Sequence, residues 1–74
     1  MRVATKNTKH VERLGARIRD LRKEKDLTHA DLAKKLRRSQ SQISEWETGD
    51  SEPQLLNLIA IAKALDVQLT DLVS

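Results

Sequence analysis

A chain of 74 residues has room for one domain only, and a domain this small buries a limited share of its surface, so support from a partner subunit is expected. Cysteine is absent, which excludes disulfides and thiolate-bound metal as that support. The net charge of +3 hides a division: residues 1–38 carry 13 Lys/Arg against 5 Asp/Glu, while residues 39–74 carry 1 against 6, so the front half suits a polyanion and the back half does not.

In chain order, residues 1–10 lack apolar periodicity and hold Arg2, Lys6 and Lys9 with no acid. They read as a flexible basic arm, either a plain disordered terminus or one that follows a groove. The domain proper is expected over 11–74. Val11, Leu14, Ile18 and Leu21 recur at steps of 3, 4 and 3, which predicts a helix with one apolar stripe, its other faces carrying Arg13, Arg17, Arg19, Arg22 and Lys23. In the link Lys25-Asp26-Leu27, Asp26 tolerates left-handed backbone.

A second helix opens at Thr28, whose hydroxyl can cap it while Asp31, three residues on, reaches back to the cap's own N–H. Leu27 and Leu32 form a hydrophobic staple, and Ala30, Ala33 and Leu36 continue the apolar face. The next helix starts in the same way, with Ser39 as cap and Gln42 three residues later, and Thr48-Gly49 stops it. Its apolar positions are only Ile43 and Trp46, which leaves Gln40, Ser41, Ser44 and Glu45 exposed. Those side chains suit base edges: Gln pairs with adenine, Ser with either partner type, and Glu accepts from cytosine.

After Asp50-Ser51-Glu52, Pro53 is placed for the first turn of a helix over Gln54 to Leu65. Leu55, Leu58, Ala62 and Leu65 form its core stripe, and Leu56, Ile59 and Ala60 form a second stripe well round the helix. A helix apolar on two sides needs two neighbours, so the second stripe is the expected dimer interface. Asp66 ends this helix. Leu69 to Val73 forms a fifth, with Leu69 and Leu72 inward; its cap, Gln68, is poor, and fraying is expected.

Trp46 is the only aromatic residue, and it reads as core rather than as a stacking platform for single strands, which uses several aromatics. His10 and His29 are too far apart in sequence to suggest a metal site, and no Ser/His/Asp arrangement, Gly-rich phosphate loop or paired-carboxylate cleft is discernible. Neither an enzyme, nor a metal, nor a cofactor is expected. The longest uninterrupted apolar run, Leu58 to Ala62, falls far short of the roughly 18 residues of a membrane span, and no signal peptide is discernible. A cytoplasmic, nucleoid-associated protein fits.

With LAKKL on the first motif helix, SQSQISEWE on the second and Gly49 after it, the chain resembles the Xre family, the lambdoid phage repressor and Cro group of helix-turn-helix regulators, from about Leu14 to Leu72. The resemblance implies an all-α bundle of five short helices in which the third lies in a major groove. It implies a sequence-specific, double-stranded-DNA-binding transcriptional regulator, a repressor and a homodimer. Base reading would fall to Gln40, Ser41, Ser44 and Glu45, and phosphate contact to His29, Lys34, Arg37, Arg38 and Ser39. It further implies a brace between Arg22 and Glu47. Two residues depart from the family pattern: Arg37 stands where Gly is usual and must accept a left-handed backbone at some cost, and Arg38 replaces a usually apolar neighbour. Backbone N–H groups near Pro53 contact phosphate in the family, a role that Asp50 and Glu52 oppose by repulsion. With no ligand-binding domain, regulation would rest on occupancy, dimerisation or a partner protein. Two other readings stand beside this one: the antitoxin of a toxin–antitoxin pair, and an adaptor whose helix-turn-helix binds only protein.

Overall fold

A computed structural model describes the backbone of residues 5–73 and the side chains of residues 9–73. Five helices follow one another: α1 Thr5–Glu24, α2 His29–Leu36, α3 Gln40–Thr48, α4 Leu55–Leu65 and α5 Leu69–Val73. There is no strand among the described residues, and the architecture is the all-α five-helix bundle that the sequence leads one to expect. The first helix begins at Thr5, six residues ahead of the first apolar position, Val11. The segment read as an arm is therefore helical from Thr5 onward. It contains neither Gly nor Pro, so nothing in it stops a helix already nucleated by the packed turns that follow. Any groove-following role for residues 1–4 lies outside the described residues.

Three helices close in the same way. Asp26, Arg37 and Asp66 take left-handed backbone at φ 58°, 57° and 57°. The residue after each donates its N–H to a carbonyl five positions back: Leu27 to Arg22 at 3.1 Å, Arg38 to Ala33 at 2.9 Å and Val67 to Ala62 at 2.9 Å. This pairing satisfies carbonyls that a helix end otherwise leaves bare. Arg37 thus adopts the left-handed geometry that its place in the turn demands. At the other end of α2 the capping box is complete, with Asp31 N–H donating to Thr28 Oγ1 at 3.0 Å and Thr28 N–H to Asp31 Oδ2 at 2.9 Å. On α5 half of the same device compensates for the poor cap, because Gln68 N–H donates to the Asp71 carboxylate at 2.9 Å.

The core draws on all five helices: Ile18 and Leu21 from α1, Leu32 and Ala33 from α2, Ile43 and Trp46 from α3, Ile61, Ala62 and Leu65 from α4, and Leu72 from α5. Burying each of the larger aliphatic side chains is worth about 1.5–3 kcal/mol. Ala30, Leu55 and Pro53 stand differently from the sequence reading. Ala30 is exposed, because at 3.6 residues per turn it sits about a third of a turn away from Leu32, Ala33 and Leu36. Leu55 is 61% exposed while Ile61 is fully buried. Ile61 shares its face with Leu58 and Leu65 at steps of 3 and 4, while Pro53 lies before the Gln54 cap, outside the first turn of α4, and is itself buried.

Candidate nucleic-acid interface

Helix α3 owes its placement to a close approach. Gly15 of α1 is buried against it, and a β-carbon there would collide with the Trp46 carbonyl and sit 2.7 Å from that of Glu47. With the two backbones this near, Ile43, Trp46 and Glu47 point inward and are buried. Trp46 is only 2% exposed, which places it in the core. The opposite face presents Gln40, Ser41 and Glu45 to solvent, with Ser44 half-buried beside them. Ser39 Oγ accepts from Gln42 N–H at 3.1 Å and so caps the helix. The Gln42 side chain does not return to the cap; it donates to Ser51 Oγ at 3.3 Å and fastens α3 to the loop that follows it.

Beneath that face lies a buried charge cluster. Arg22 of α1 reaches Glu47 of α3 with two parallel bonds, Nε to Oε2 at 2.6 Å and Nη2 to Oε1 at 3.0 Å, and its Nη1 donates to the Leu27 carbonyl at 2.7 Å. His29, the first residue of α2, brings Nε2 to 2.9 Å from Glu47 Oε1. One carboxylate therefore ties three helices together. Burial is the largest single influence on Glu47 and pushes its carboxyl up. The hydrogen bonds from Arg22 and His29, aided by their charges, outweigh it and leave the carboxyl below its ordinary value. Asp31 is lowered too, mainly by the Thr28 backbone N–H that it accepts. The His29 contact with Glu47 is absent from the sequence reading, which assigns His29 to phosphate; nothing in the spacing signals it.

The flank before α3 is cationic. Lys34, Arg37 and Arg38 are exposed, as is Ser39. Arg38 Nη2 donates to Asn57 Oδ1 of α4 at 2.9 Å, a second link that sequence reasoning misses. On the far side of α4, Leu56 is 79% exposed, with Ile59 and Ala60 half-buried next to it. Asp50 and Glu52 are exposed in the loop ahead of that helix, and Gln54 makes no side-chain hydrogen bond to cap it. Among the described residues no group of three His, Cys, Asp or Glu side chains is placed to hold a metal. Nor is any helix among them long and apolar enough to cross a membrane.

Known proteins share both sequence and shape with this chain. The sequence profile of the helix-turn-helix family matches residues 18–72. The HTH-type transcriptional regulator DicA of Escherichia coli is 46% identical over 57 residues, covering 77% of this chain and 42% of DicA. The immunity repressor protein of Bacillus phage phi105 is 38% identical over 60 residues, covering 81% of this chain and 42% of the repressor. The chain thus spans less than half the length of these relatives. Among solved structures, the restriction-modification controller protein C.AhdI of Aeromonas hydrophila superposes with a TM-score of 0.81 at 31% identity, over 84% of this chain and 94% of the controller. The chain belongs to the helix-turn-helix family, in its Xre and lambdoid phage repressor form.

Proposed function

We propose that this protein is a sequence-specific, double-stranded-DNA-binding transcriptional regulator that acts as a homodimer and represses. The observation that carries this reading is the construction of α3: a short helix locked from behind by Arg22, His29 and Glu47, with a polar outer face of Gln40, Ser41, Ser44 and Glu45. Base edges are read by hydrogen bonds from a rigidly held helix in the major groove, and that face supplies the matching donors and acceptors. Lys34, Arg37, Arg38 and Ser39 beside its N-terminus then meet phosphates. His29 gives its Nε2 N–H to Glu47 and so binds α2 into the same lock. Among the names of the relatives, that of the transcriptional regulator supports regulation and that of the phage immunity repressor supports repression.

The apolar strip of exposed Leu56 and half-buried Ile59 and Ala60 is where a second copy packs, giving two recognition helices related by a two-fold axis. Half-sites one helical turn apart, about 34–36 Å, follow from that symmetry. Selection of bound duplexes from a random pool tests the reading. Enrichment of a pseudo-palindromic site supports it, and a pool that stays random after repeated rounds refutes it.

A further inference from the structure

Among the three residues that follow a left-handed helix end and donate their N–H to a carbonyl five positions back, Arg38 is the exception. In this type of helix ending the residue after the left-handed one usually makes an apolar contact back onto the helix. Leu27 and Val67 are apolar and pack against the core. Arg38 stands in the same backbone position, with its N–H on the Ala33 carbonyl, yet it is exposed and carries a guanidinium. Its head group reaches instead to α4, where Nη2 donates to Asn57 Oδ1 at 2.9 Å across 19 positions of sequence. An exposed bond of this kind adds little to stability, because water competes for both partners. What it does change is the freedom of a long side chain, since arginine loses much rotamer entropy when it is fixed on a ligand.

We propose that Asn57 is a positioning residue for DNA binding: it holds the Arg38 guanidinium in place before a phosphate arrives. Asn57 uses its carbonyl oxygen on one N–H of Arg38 and leaves the remaining guanidinium donors for the phosphate. Its effect is therefore on binding to every sequence alike, not on base preference. The proposal rests on the DNA-binding reading above and on Arg38 being one of its phosphate contacts.

A double-mutant cycle with wild type, Arg38→Ala, Asn57→Ala and the double variant, titrated on the selected duplex and on a random duplex at several salt concentrations, tests it. Arg38→Ala is expected to weaken both duplexes equally and to lower the salt slope by about one unit. Asn57→Ala is expected to weaken both duplexes severalfold with the salt slope of wild type, since the cation is still present but no longer held. In the Arg38→Ala background, adding Asn57→Ala is expected to change nothing. Equal losses from Asn57→Ala in both backgrounds, or no loss in the wild-type background, would overturn the positioning role. Thermal melts of all four chains check folding, and Asn57→Ser serves as the second variant if Asn57→Ala melts early. Failure of the wild type to bind any duplex refutes the underlying function and is read before any variant is compared.

Discussion

Glu47 stands on α3 but accepts hydrogen bonds from Arg22 of α1 and His29 of α2, so its removal strands a buried guanidinium and unties three helices at once. Arg22 and Glu47 are 7% and 8% exposed, which puts the pair in the buried class, where deleting one partner costs about 3–5 kcal/mol. Arg22→Ala and Glu47→Ala are each expected to lose that much, and the double variant less than the two losses added; small, additive losses in denaturant melts would show that the pair does not couple. The acid limb of stability follows from the same carboxyl. Its folded-state value lies below the ordinary 4.5, so the stabilisation is present above that value and disappears as pH falls through the lower one. Glu47→Gln should be less stable than wild type at neutral pH and lose less on acidification below about pH 4.5. At Arg37 the cost is conformational: a left-handed backbone is disfavoured by roughly 1–2 kcal/mol for a residue with a β-carbon. Arg37→Gly removes that strain but enlarges the freedom of the unfolded chain, for a net gain of about 0.5–1 kcal/mol, or a few degrees in Tm. The same variant should bind all DNA sequences more weakly, having lost a cation beside the groove.

The contact between α1 and α3 depends on the missing side chain at Gly15. In an isolated helix Gly15→Ala would be favourable by up to about 1 kcal/mol, but here the new methyl group meets the carbonyls of Trp46 and Glu47. We expect a net destabilisation of about 1–3 kcal/mol from forcing the helices apart; a variant as stable as wild type would show that the approach is not tight. For α4, Leu56→Glu should leave helical content unchanged and weaken self-association, measured by sedimentation, since a two-fold contact buries the charge against its own copy. A wild-type chain that stays monomeric at high micromolar concentration and on DNA contradicts the dimer. The starts of α2 and α3 were legible because caps are local chemistry, as with Thr28 and Asp31, which lie three residues apart and bond each other. The inward face of α4 was less legible: the helix is apolar on nearly every side, so composition alone does not say that Ile61 goes in and Leu55 stays out. Links between distant residues left no local trace. Arg38 and Asn57, or His29 and Glu47, sit 19 and 18 positions apart, and the pairing of Arg22 with Glu47 was suggested by family resemblance, not by spacing.

Across the whole chain the charge is divided between a basic first half and an acidic second half. Lysines and arginines crowd residues 1–38, and the acidic residues of 39–74 fall on the later loops and helices, with Glu45 alone on the outer face of α3 and Glu47 buried in the brace. Such a distribution draws DNA to the helix-turn-helix and leaves sequence preference to a few side chains on one helix. The measurement that tests this most directly compares wild type with Gln40→Ala on the selected duplex and on random duplex at one salt concentration. Gln40 is exposed in the first turn of α3, the end that enters the groove. The account predicts a loss of about 1–3 kcal/mol on the selected site with relaxed preference at one base pair, and little change on random DNA. An unchanged ratio between the two duplexes would contradict it and would show that α3 does not read sequence through Gln40.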